Sequence, residues 1–211
     1  YSQIARPYTL LALLSLASAC FLIRGLKTNQ TRHWFGFVLT AALGFYTHYN
    51  ALMVLSAEGL FAGIVWLYLL VDSLRSPKPA RKLATPILSF VAVGLLCVPG
   101  LLHLAGLSGE EMGGEGSVPL SIAFFRQVMY RSGLIGPWRQ ILIVGLMAVG
   151  ACASLYRRRW QPGLVAALWI AVPFMILSVM DLPRPFVERY VIFVPPVALL
   201  LAGQGVVALV E

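Results

Sequence analysis

Apolar runs of about 20 residues recur along the whole of this 211-residue chain, separated by short polar or basic breaks. "TLLALLSLASACFLI" lies in the first run and "YVIFVPPVALLLAG" in the last. That pattern is the signature of a polytopic membrane protein, so the expected fold class is all-α, a bundle of transmembrane helices. Charged residues make up only 11% of the chain and the mean hydropathy is +0.83. A soluble domain carries roughly 25% charged residues, which excludes water as the only solvent. The formal charge of +8 does not point to nucleic acid, because the basic residues fall between the apolar runs instead of forming one face.

Seven spans are expected, at roughly 8–26, 34–47, 51–71, 83–103, 138–156, 163–180 and 190–210. At 1.5 Å per residue most reach about 28–32 Å and cross the hydrocarbon core, whereas the second reaches only about 21 Å. It ends at "YTHYN", residues 46–50, a polar break before the next run. Non-helical backbone at membrane depth is tolerated only inside protein or along a wet cavity, so the break is a candidate cavity wall.

Loop charges orient the bundle. Arg24, Lys27 and Arg32, then Arg75, Lys78, Arg81 and Lys82, then Arg157, Arg158 and Arg159 share one side with few acids. The positive-inside rule makes that side cytoplasmic. "YSQIARPY", "YTHYN" and "DLPRPFVERY" then all face outward. The largest outer loop, about 104–137, contains "VPLSIAFFRQVMYRSG", whose apolar spacing fits an outward interfacial helix or a plain connecting one. Cys20, Cys97 and Cys152 each lie in an apolar run without metal-like spacing and read as buried, unpaired thiols. "NQT" at Asn29 has a glycosylation pattern but falls on the cytoplasmic side.

Among the outward residues, Arg6 with Tyr8, and Arg189 with Tyr190, pair a guanidinium fork with a phenol at helix ends. The fork suits phosphate oxygens. The alternative is a snorkelling arginine and a tyrosine of the interfacial belt. Tyr46, His48 and Tyr49 line the break, with His48 a ligand, a base or a structural hydrogen-bond donor. Glu58, inside the third run, either marks a polar pathway or is protonated and bonded to a neighbouring helix.

Taken in order, "YSQIARPYTLLALLSLAS", "GFYTHYNALMVL" and "ERYVIFVPPVALLLA" resemble the GT-C class of integral-membrane glycosyltransferases. The nearest likeness is to the bacterial protein O-mannosyltransferase and aminoarabinose-transferase superfamily (glycosyltransferase family 39-like), and it covers essentially the whole chain. The resemblance implies transfer of a sugar from a polyprenyl-phosphate-linked donor to a lipid, glycan or protein acceptor. Transfer would occur on the outward face of the bacterial plasma (inner) membrane, among membrane lipids. It implies substrate binding by Arg6, Tyr8, Tyr46, His48, Tyr49, Arg189 and Tyr190; Glu58 joins these candidates on its own chemistry as an intramembrane carboxylate, and no cofactor, metal or nucleic acid is expected.

Two departures stand out. Ile4 occupies a position where the family commonly has glutamate, and the family's catalytic aspartate lies in an outer loop preceding the Arg-Pro-Tyr motif. The expectation is therefore a single transmembrane domain over 1–211, the C-terminal portion and an internal fragment of a longer transferase, inactive by itself. The rival class is a multi-pass transporter or lipid flippase; it has no visible inverted repeat to support it.

Overall fold

A computed structural model describes residues 2–75, 81–107, 137–156, 160–179, 197, 202–203 and 206–207. It is all-α, and among the described residues six helices are formed: α1 Ser2–Thr28, α2 Thr31–Thr47, α3 Ala51–Arg75, α4 Arg81–Leu107, α5 Pro137–Tyr156 and α6 Trp160–Val179. Tyr8–Thr28, Ala51–Leu74 and Ala84–His103 are each long and apolar enough to cross a membrane, with mean hydropathies of 1.9, 2.0 and 2.1. Only 22–33% of these stretches is buried within the protein. Leu13, Leu67, Leu88, Leu95 and Leu102 are among the side chains left facing outward. So many exposed aliphatic side chains on apolar helices suit hydrocarbon and not water.

The second helix is longer than the sequence suggests. Its 17 residues span about 26 Å because it begins at Thr31, inside the basic turn. It remains the shortest of the first four helices. The expected interfacial helix within 104–137, the basic loops at 76–80 and 157–159, and most of the last run lie outside the described residues.

The chain divides into two compact units, residues 1–113 and 114–211. In the first, α1 and α2 form an antiparallel hairpin with the closest mutual packing, and α2 also lies against α4. Its core contains Leu11 and Leu22 of α1, Trp34, Phe37 and Phe45 of α2, Phe61 and Val65 of α3, and Val93 of α4. Gly36 makes the hairpin possible: a Cβ there would stand 2.7 Å from the Phe21 ring. Lipid provides no hydrophobic drive between helices, so close approach at small residues is what holds them together. In the second unit, α5 packs on α6, which buries Val165, Ala166, Trp169 and Val172 at helical spacing.

The α1–α2 turn is built by local hydrogen bonds. Asn29 adopts φ 52°, and its N–H donates to the Gly25 carbonyl at 2.7 Å, an αL helix end. Its side-chain Oδ1 accepts from Trp34 Nε1 at 3.2 Å. The residue singled out by its glycosylation pattern is thus a helix cap.

The cysteines need a correction. All three are unpaired, but only Cys97 is buried; Cys20 and Cys152 are exposed. A thiol behaves as a small apolar group, so an outward position on an apolar helix costs it little in lipid.

Candidate functional site

The "YTHYN" break is real and tight. His48 ends α2 in an extended conformation (φ −163°, ψ 133°), with its N–H still donating to the Gly44 carbonyl at 3.1 Å. Tyr49 and Asn50 turn the chain, and Ala51 donates to the His48 carbonyl at 3.0 Å to start α3. The imidazole takes part in the turn: Asn50 N–H donates to His48 Nδ1 at 3.2 Å. A backbone N–H can only donate, so Nδ1 is the acceptor and the neutral ring carries its proton on Nε2. Burial holds His48 below the ordinary histidine pKa, which favours that neutral form.

Three expected site residues come together here. The Tyr8 ring, on the first turns of α1, has its centroid 5.0 Å from that of the His48 ring, and the Tyr49 ring has its centroid 4.5 Å from it. The Arg-Pro-Tyr and Tyr-Thr-His-Tyr motifs, far apart in sequence, therefore meet at one end of the first unit. Arg6 stands two residues before Tyr8 in the same helix. Arg189 and Tyr190 lie outside the described residues.

Tyr46 also makes a contact between helices. Its hydroxyl donates to the Leu96 carbonyl of α4 at 2.7 Å. Pro99 in α4 has no N–H to offer the Leu95 carbonyl, so the helix ladder is interrupted one residue from this contact. Gly100, beside it, admits the Phe45 ring: a Cβ at Gly100 would stand 2.5 Å from Phe45 Cε1. Tyr46 and Phe45 together lock the end of α2 against α4, which positions the break.

Glu58 lies about two turns into α3 and is wholly buried. Ser18 of α1 donates to its Oε2 at 2.8 Å, so the carboxyl is hydrogen-bonded to a neighbouring helix, one of the two readings open from sequence. Its Oε1 has no hydrogen-bond partner among the described residues. A pocket of about 10 Å³, lined by Ser15, Ser18, Thr40, Gly44, Ala51 and Glu58 among others, sits beneath the break. Neither Tyr8 nor His48 lines it, so the aromatic cluster and the Glu58 pocket are adjacent features and not one cavity. Sequence reasoning passed over Ser15 and Ser18. Their i, i+3 spacing in an otherwise apolar run, opposite a run carrying a carboxylate, was the available signal.

Among the described residues no group of three His, Cys, Asp or Glu side chains is placed to hold a metal ion. Comparison with known proteins gives no matching family model, no matching curated protein and no matching solved structure.

Proposed function

We propose that this chain belongs to a membrane glycosyltransferase of the GT-C type that takes a sugar from a polyprenyl-phosphate donor on the outward face of a bacterial plasma membrane. The observation that carries the reading is the meeting of Tyr8 with His48 and Tyr49. It brings together the two motifs on which the family resemblance rests. A neutral imidazole that carries its proton on Nε2, flanked by phenols, can offer a hydrogen bond to an anionic headgroup at the membrane surface. In this reading Arg6 and Arg189 hold the donor phosphate and stabilise it as a leaving group, with Tyr190 beside it. About seven membrane segments and an outward interfacial helix complete the architecture. The acceptor, a lipid, glycan or protein, must give up a proton for transfer to occur.

The test is transfer from a polyprenyl-phosphate-sugar by the full-length protein, normalised to folded protein in the membrane. One charge-assisted phosphate contact is worth about 1.5–3 kcal/mol. Arg189→Ala therefore slows transfer by roughly one to two orders of magnitude, and Arg189→Lys, which keeps the charge but loses the fork, recovers part of it. Wild-type turnover in Arg189→Ala removes Arg189 from the donor site. A transporter or flippase is the second reading, favoured by the buried Glu58. Substrate flux into proteoliposomes without sugar transfer would select it.

A further inference from the structure

The Glu58 pocket is separate from the aromatic cluster, and the chemistry of its lining specifies an occupant. Ser18 spends its only hydroxyl proton on Glu58 Oε2 at 2.8 Å. Thr40 spends its proton on the Gly36 carbonyl at 2.7 Å, shared with the Phe37 carbonyl at 3.3 Å. Both hydroxyl oxygens are left with lone pairs only. Glu58 Oε1, fully buried and without a hydrogen-bond partner, adds a third acceptor, and Ser15, itself buried, contributes another oxygen.

No Lys, Arg or His lines the pocket. A carboxylate inside a membrane helix without a cationic neighbour is costly, so a pocket of acceptors around one calls for a single positive charge, either a proton on Glu58 or a bound cation. The volume of about 10 Å³ admits one water-sized sphere. A divalent ion requires six or more oxygens or retained waters, for which neither the charge nor the space exists.

We propose that Glu58, with the hydroxyl oxygens of Ser15, Ser18 and Thr40, forms a binding site for one desolvated monovalent cation of sodium's size, joining α1, α2 and α3. Gly44 and Ala51, on either side of the "YTHYN" break, line the same pocket. The proposal is independent of the transferase reading: a transferase, a transporter or a flippase could each contain the site.

The experiment is thermal unfolding of the full-length protein in detergent at fixed pH and ionic strength, with sodium chloride exchanged for choline chloride. Sodium at about ten times its dissociation constant should raise the midpoint by about 3 °C. Glu58→Gln, which preserves shape, should abolish the shift. Thr40→Val, which removes one oxygen at similar volume, should lower the apparent sodium affinity several-fold. If Glu58→Gln does not fold, Thr40→Val decides in its place. Equal midpoints in sodium and choline would overturn the site and leave Glu58 neutralised by a proton. A sodium shift that survives Glu58→Gln, or an unchanged sodium affinity in Thr40→Val, would overturn it as well.

Discussion

Replacing Gly100 by alanine tests how the break is held. The new Cβ would stand 2.5 Å from Phe45 Cε1 and 3.2 Å from Cζ, with Tyr46 Cε1 at 3.4 Å. Phe45 is 4% exposed, with no open side toward which to retreat. The end of α2 must therefore move off α4, stretching the 2.7 Å bond from the Tyr46 hydroxyl to the Leu96 carbonyl. Overpacking costs about 1–3 kcal/mol and the lost hydrogen bond about 0.5–1.5 kcal/mol, so Gly100→Ala should destabilise by roughly 2–4 kcal/mol. Gly94, on the same helix, has no atom within 4 Å of the equivalent Cβ. Gly94→Ala should be neutral, or stabilising by about 0.5–1 kcal/mol through helix propensity. Reversible unfolding in mixed micelles, followed by tryptophan fluorescence, compares the two. The double variant Phe45→Ala/Gly100→Ala should be less damaged than the sum of its parts, since shrinking the ring relieves the clash. Equal stability of Gly100→Ala and Gly94→Ala would refute the close approach of α2 to α4.

Titration of the His48 ring by NMR should give a pKa below the ordinary value of about 6.5. A depressed value means that the fold disfavours the proton, so this contribution to stability is present above about pH 6.5 and fades as pH falls through the folded value. Protonation also removes the acceptor at Nδ1 for the Asn50 N–H. His48→Asn, which keeps an acceptor for the residue two positions on, should lose the acid sensitivity; a variant as acid-labile as the parent assigns the effect to another group. Topology is open to labelling in intact cells after replacement of Cys20, Cys97 and Cys152. Ser108→Cys should react with an impermeant maleimide and Ser76→Cys should not; the reverse pattern inverts the proposed orientation.

Hydropathy by itself determined the helices. In lipid a backbone must satisfy its own hydrogen bonds, so each apolar run of sufficient length becomes a helix whatever its neighbours are. The break at "YTHYN" was legible for the same reason, because polar and turn-forming residues interrupt the run. The burial of Glu58 was legible too, in that a carboxylate inside such a run must find a polar partner.

The sequence could not say that the partner is Ser18, since several hydroxyls on three helices were equally eligible. Which one meets Glu58 depends on how α1 and α3 are rotated. The outward position of Cys20 and the use of Tyr46 as a strut to Leu96 were hidden in the same way. These outcomes were decided by packing at points such as Phe21 on Gly36 and Phe45 on Gly100. Water does not drive membrane helices onto one another, so their relative rotation is settled by shape at a few small residues, and no linear count of apolar positions carries that information.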